Sequence, residues 1–345
     1  MEKSSNTATG GERRKGGDWR RILPGLAISL VSLIVVFYVA DLRKLRDALL
    51  LADIRLIGLT IIMMVTWLFV RGLFGRTLLQ DKASYPAVFW TLNEGYLINN
   101  LLPFRLGEVA RAFLLSKKSR LSFWEILSTI FIERIMDITY AVGLFFLLLP
   151  FVVGAGGQRQ TTILMGIVIA LVFLSLYLLA RNREWALGVN EKIGKRWPPL
   201  QRLTGKVVPQ LIAGLAVLTD GRRFLKALFW LTLDWAIAIF QYYILVRAFI
   251  PEATLLWASF ALMVAALGIA APSSPGGVGV FEAAIVGALA LFGVDTSVAL
   301  AAAITAHLIQ YLVTGVLGAY ALFKDGESLS GLYRRVRQIQ PTGEG

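Results

Sequence analysis

Runs of apolar residues long enough to cross a bilayer leave this chain few folds to choose from. Stretches 22–40, 54–79, 122–149, 161–180, 224–250 and 298–323 each approach or exceed the roughly 20 residues that a helix needs to span about 30 Å of hydrocarbon. Inside lipid every backbone N–H and C=O must find its partner within the protein, which makes these runs helices. The hydrophobic share of 57% and mean hydropathy of +0.67 lie far above the roughly 45–50% apolar content of soluble domains. The expected fold is an all-α polytopic membrane protein. Run 22–40 is long for the apolar core of a secretory signal, and Tyr38 spoils the small-residue cleavage pattern before Asp41.

Two further apolar regions do not fit a continuous span. Residues 86–102 and 106–116 are separated by Pro103-Phe104-Arg105, and 255–271 and 278–292 by Pro272-Ser273-Ser274-Pro275-Gly276-Gly277. Each piece is too short or too polar to cross alone, so each region reads as a broken, re-entrant helix pair. The total is then about six full spans plus two broken pairs. Residues 41–54 alternate charged and apolar positions at helical spacing, as an interfacial helix does. Arg71, deep in the second span, is expected to face the bundle interior, because a central Arg exposed to lipid costs about 2.5–3.5 kcal/mol. Arg76 is expected to snorkel to the nearby surface.

Charge sets the orientation. With the N-terminus inside, segments 1–21, 116–120, 181–223 and 324–345 hold 22 Lys/Arg, against 5 in 41–55, 151–160, 251–256 and 293–297. Basic residues favour the cytoplasmic side, so both termini are expected there. On that topology the first broken pair enters from the cytoplasm and the second from outside, an inverted repeat with a site near the midplane. Residues 1–21 read as a disordered basic arm and 22–323 as one membrane domain. That domain has a first half 22–180, a cytoplasmic linker 181–223 and a second half 224–323, and 324–345 is a polar tail.

Both breaks share one pattern of Pro, Gly and a following Glu: Pro103, Gly107 and Glu108 in the first, Pro275, Gly276, Gly277, Gly279 and Glu282 in the second. The second half-helix of each pair would turn its N-terminal amides inward, which suits an anion such as a lipid phosphate. The plainer reading is that the prolines merely kink spanning helices. Glu133, Arg134 and Asp137 share one face of the third full span. With Glu108, Arg111 and Glu282 they are expected to form one charge network, unless they pair only to hold the bundle. His307 is a lone histidine on an apolar helix, and a plain interhelical hydrogen bond is its simplest role.

Other chemistries are excluded or weak. With no cysteine and one histidine, a disulfide and a Cys/His metal site are out, and no cofactor is expected. Gly276-Gly277-Val278-Gly279 follows no strand, so it is no dinucleotide fingerprint, and Gly188 to Lys195 lacks P-loop spacing and the required Ser/Thr. The net charge of +13 suits an anionic membrane surface better than a nucleic acid.

Three motifs in order resemble a known family: Asn100-x-x-Pro103-x-x-x-Gly107-Glu108-x-x-Arg111, Glu133-Arg134-x-x-Asp137, and Pro272-x-x-Pro275-Gly276-Gly277-x-Gly279-x-x-Glu282. They resemble the flippase-like transmembrane domain of lysylphosphatidylglycerol synthases, and the resemblance covers nearly all of 22–323. It implies movement of charged or sugar-bearing lipids between leaflets, such as aminoacylated phosphatidylglycerol or polyprenyl-linked glycolipids. The resemblance covers the transmembrane region and not the aminoacyl-transferase domain that the synthases append, so lipid synthesis is not expected of this sequence. Where the family commonly carries Arg in its last helix this chain has His307, whose charge depends on pH.

The expected function is therefore a lipid transporter of the cell membrane, not an enzyme. Arg111 and Arg134 would serve the phosphate, and Glu108, Asp137 and Glu282 a cationic or hydroxylated headgroup or a coupled proton. Asn100, Pro103, Gly107, Glu133, Pro275, Gly276, Gly277, Gly279 and His307 complete the candidate site. Pro103 and Pro275 should then approach one another, with Glu108, Arg134 and Glu282 around one polar cavity. The partners are membrane lipids with anionic or sugar-bearing headgroups, with room for a second copy of the chain or a lipid-synthesising enzyme. The alternatives are an intramembrane enzyme acting on a lipid phosphate or a lipid-linked sugar, and a non-catalytic scaffold.

Overall fold

The computed structural model describes residues 19–102, 105–153, 181–197, 220–270 and 275–327, together with the single positions 167, 171, 178 and 209. Pro103, Pro272, the N-terminal arm before Trp19, the expected span 161–180 apart from single positions, most of the linker and the tail beyond 327 lie outside the described residues. The secondary structure found among the described residues is helical and without strands.

Eleven α-helices are described: α1 Trp19–Val39, α2 Leu42–Leu51, α3 Ile54–Leu78, α4 Tyr85–Leu101, α5 Leu106–Lys118, α6 Phe123–Val153, α7 Arg183–Arg196, α8 Gly221–Arg247, α9 Leu255–Ala270, α10 Val280–Ala290 and α11 Thr296–Lys324. A single 3-10 turn, Pro275–Gly277, precedes α10. Of these, α3, α6, α8 and α11 are long and apolar enough to cross a membrane without interruption. Aspartates fix several starts: Asp41, Asp53, Asp220 and Asp295 each cap the helix that follows through its first free backbone amides.

Contacts among loops and helix ends sort the molecule into two ends. At one, Asp53 N–H donates to the Ala248 carbonyl at 3.0 Å, Asp41 N–H to Ser297 Oγ at 2.9 Å, and Lys44 pairs with Asp295 at 2.9 Å. At the other, Lys82 pairs with Glu125 at 3.0 Å, Lys226 with Asp81 at 3.0 Å and Lys117 with Glu327 at 2.7 Å. Arg76, half exposed, pairs with Asp81 here, as its snorkelling reading requires.

The two broken pairs are hairpins of half-helices, and they enter from opposite ends. The pair α4/α5 starts and finishes beside Asp81, Lys117 and Glu125, and Leu79, Ala83, Val88, Leu115 and Leu121 pack together there. The pair α9/α10 starts and finishes at the Ala248 and Asp295 end, where Trp257 stacks on Phe292 at 5.2 Å. The inversion expected from the charge count is thus present in the packing.

Close backbone crossings hold the first hairpin. A Cβ on Gly107 would stand 1.9 Å from the Gly95 carbonyl oxygen, and one on Gly318 of α11 2.6 Å from the Asn93 carbonyl oxygen. Small residues permit this approach where apolar burial gives lipid-embedded helices no net attraction. On α11 the inward face carries His307, Thr314 and Gly318, whereas Leu308, Leu312 and Val316 form an exposed apolar stripe suited to lipid.

Candidate functional site

The centre of the charged site is Arg71, which the sequence placed inward but not in the site. Its guanidinium donates to Asp137 Oδ1 at 2.8 Å, to Asp234 Oδ2 at 3.2 Å, to Glu133 Oε1 at 2.7 Å and also to Asp137 Oδ2. Four helices meet here: α3 brings Arg71, α5 Arg111, α6 both Glu133 and Asp137, and α8 Asp234. Arg111 donates to both Glu133 oxygens, at 3.2 and 3.1 Å. A Cβ on Gly75 would lie 2.7 Å from the Arg111 guanidinium, so that glycine makes the room. Asp234 is a lone carboxylate in the apolar run 224–250, and one of its oxygens accepts no hydrogen bond among the described residues.

Accessibility rises from this hub toward the first break. The Arg71 and Glu133 side chains are 3% and 1% exposed, Arg134 and Glu108 24% and 21%, and Arg105 43%. Arg134 Nε lies 2.8 Å from Glu108 Oε1, and its other nitrogens lie near Asp137 and Glu133. Arg105 stands 3.7 Å from Glu108 and donates to the Ile269 carbonyl at 2.9 Å. That bond joins the first break to the last turn of α9, and so links the two hairpins. Arg105 sits in the left-handed region at φ 52°, a conformation costly for a residue with a Cβ, and it is a member of the site that the sequence did not single out. Four guanidinium groups thus face four carboxylates. Buried ion groups of this kind add little net stability, but losing one partner is costly.

The single network expected from the sequence is divided. Glu108, Arg111, Glu133, Arg134 and Asp137 join Arg71, Asp234 and Arg105, whereas Glu282 does not. Its carboxylate accepts the Gly279 N–H at 2.6 Å with one oxygen and lies 2.6 Å from His307 Nδ1 with the other. The reason is local: Glu282 is the third residue of α10 and closes the N-terminus of its own helix. The Gly279 amide at the N-cap of α10, where an anion was expected to sit, already donates to this carboxylate. In the first hairpin Asn99 Oδ1 likewise accepts the Gly107 N–H at 2.8 Å.

His307 Nε2 lies 3.0 Å from the Gly276 carbonyl oxygen. Gly276, Gly277 and Gly279 all take positive φ, and a Cβ on Gly276 would fall 1.7 Å from the Tyr311 hydroxyl. Only glycine fits there. Pro275 opens the 3-10 turn. Asn100 donates to Thr314 Oγ1 at 2.9 Å, tying the end of α4 to α11. A further buried acid on α4, Glu94, lies 3.6 Å from Lys118. Among the described residues no cluster of metal-ligating side chains occurs.

Comparison with known proteins gives the following. The profile of the family described as Lysylphosphatidylglycerol synthase TM region matches residues 22–318. A UPF0104 membrane protein of Methanocaldococcus jannaschii is 29% identical over 237 residues, covering 66% of this chain and 93% of its own. A UPF0104 membrane protein of Methanothermobacter thermautotrophicus is 24% identical over 327 residues, covering 88% of this chain and 96% of its own. No solved structure matches.

Proposed function

We propose that this chain, which belongs to the lysylphosphatidylglycerol synthase TM region family, carries the headgroup of a charged or sugar-bearing lipid between leaflets at the partly open edge formed by Glu108, Arg134 and Arg105. The observation that carries the reading is the gradient of exposure from the dry Arg71 hub to this edge, located where the first break meets α9. Ionisable groups inside a membrane bundle are costly to keep and by default serve a function. A guanidinium matches a phosphate through two parallel N–H donors, and Glu108 offers an acceptor to a cationic or hydroxylated group. Acyl chains would stay in the surrounding lipid while the headgroup exchanges its water for these partners.

Orientation follows the basic residues. The end bearing Lys82, Lys117, Lys118, Arg222, Arg223 and Lys226 faces the cytoplasm of the cell membrane on this reading, with both termini there.

The test is reconstitution of the purified chain in proteoliposomes containing lysyl-phosphatidylglycerol labelled in its headgroup. Faster crossing of the labelled headgroup than in protein-free vesicles, with the lipid chemically unchanged, supports transport. A modified lipid in place of crossing supports the intramembrane enzyme, and the absence of both crossing and modification rules out a transport role of the edge for that lipid.

A further inference from the structure

The second break contains a hydrogen-bond arrangement whose proton count is fixed by geometry. His307 is 6% exposed and Glu282 5%. Both ring nitrogens of His307 face oxygens that accept: Nε2 faces the Gly276 carbonyl at 3.0 Å, and Nδ1 faces Glu282 Oε1 at 2.6 Å. A neutral imidazole has one N–H and one lone pair, so it cannot donate to both. The second Glu282 oxygen is already an acceptor, from the Gly279 N–H at 2.6 Å. The three contacts coexist only when the ring keeps a hydrogen on Nε2 and one more proton lies between Nδ1 and Oε1.

We propose that Glu282 and His307 together bind one proton, and that this proton fastens the second hairpin to α11. Whichever atom holds it, the pair is then neutral as a whole. When the proton leaves to water, a carboxylate and a singly protonated ring remain. If the hydrogen stays on Nδ1, the Nε2 lone pair meets the Gly276 carbonyl; if on Nε2, the Nδ1 lone pair meets the carboxylate. One of the two bonds is lost in either case, and a buried negative charge is left behind. Among the described residues Glu282 has no Lys or Arg within ion-pair distance, and such a charge is strongly disfavoured in an apolar interior.

The other elements around the pair do not replace the proton. Tyr242 of α8 and Tyr311 of α11 are the titratable groups that sense Glu282, and neither hydroxyl has a hydrogen-bond partner among the described residues. Phe281 of α10 lies against the ring at 4.8 Å between centroids. Asn100 of α4 contacts α11 at Thr314, and α1 presents the Ser29 carbonyl beside Gly279; neither group titrates. The hairpin has a backbone able to respond, because Gly276, Gly277 and Gly279 hold positive φ in succession around the break.

His307 is the one histidine of the chain, so protein labelled with 15N-histidine, purified without a histidine tag and placed in lipid nanodiscs, reports this ring alone. The ring nitrogens are followed by NMR as pH rises, and amide hydrogen exchange for residues 275–284 is followed relative to the intrinsic base-catalysed rate at each pH, so that only structural opening counts as a rise. Loss of the shared proton should coincide with a rise in exchange of about tenfold or more, the equivalent of losing one hydrogen bond to a charged group. His307→Arg keeps two donors at every pH, and its exchange should stay slow throughout. The proposal is overturned if the ring loses its proton with exchange in 275–284 unchanged, if it never titrates while the protein stays folded, or if the rise persists in H307R. Should H307R fail to fold, the coincidence in the wild-type chain decides. Neither readout involves lipid movement, so this result and the transport result stand or fall separately.

Discussion

Replacing Arg71 by Gln tests the hub of the buried charges. Arg71 makes four hydrogen bonds to three carboxylates, and without it three guanidinium groups face four acids. Removing one partner from a buried ion group costs about 3–5 kcal/mol, most of it for the charge left uncompensated. Arg111→Gln removes contacts to Glu133 alone, and Glu133 keeps Arg71, so its cost should be about 1–3 kcal/mol. Adding Asp234→Asn to R71Q removes one of the orphaned charges and should restore part of the loss. Unfolding in detergent followed by the fluorescence of the nine tryptophans gives the ranking. The reasoning is refuted if R71Q is as stable as the wild type, or if R111Q costs as much as R71Q.

Three further outcomes are expected. Gly107→Ala should destabilise by about 2–4 kcal/mol in the same unfolding assay, because its Cβ meets the Gly95 carbonyl and the Asn99 contact is displaced; Gly287→Ala, with nothing within 4 Å, should be neutral or slightly stabilising. The Lys44 hydrogen bond, with the Ser297 amide, holds the Asp295 carboxyl below the usual carboxylate range. A depressed acid stabilises the fold above its unfolded pKa of about 3.9 and loses that contribution as pH falls through the lower folded value. Asp295→Asn keeps the cap and removes the charge, so it should cost less than about 1 kcal/mol at neutral pH, and the difference should vanish in acid. Since the chain has no cysteine, single cysteines at Lys82 and Glu252 should react with an impermeant maleimide from opposite sides of the membrane; labelling from one side would contradict the inverted hairpins.

Helices and breaks were legible because their signals are local. Run length marked the four spans α3, α6, α8 and α11, and Pro with Gly marked both interruptions. Opposite entry of the hairpins followed from counting basic residues, an effect that acts on short loops and needs no tertiary detail. Partner choice was not legible, because it depends on contacts far apart in the chain. Arg71 and Asp234 are 163 residues apart, and only the packing of α3 on α8 joins them. The position of Glu282 just after the break predicts that it joins the common network. Its own helix N-terminus, three residues back, was the nearer demand and took the carboxylate. Nothing in the sequence marks Gly95, because the approach of its carbonyl to Gly107 exists only in the packed hairpin. Arg105 carried a usable signal, a basic residue inside a break, and its left-handed backbone places it between the hairpins.

The most direct test of the transport reading is headgroup crossing by Arg134→Gln. Arg134 lies at the partly open edge rather than in the dry hub, so the variant can be compared at matched folding. In proteoliposomes with lysyl-phosphatidylglycerol, R134Q with wild-type unfolding behaviour should lose about tenfold or more of the protein-dependent rate, the scale of one charge-assisted contact to phosphate. A rate equal to that of the wild type would contradict the placement of the headgroup at Glu108, Arg134 and Arg105.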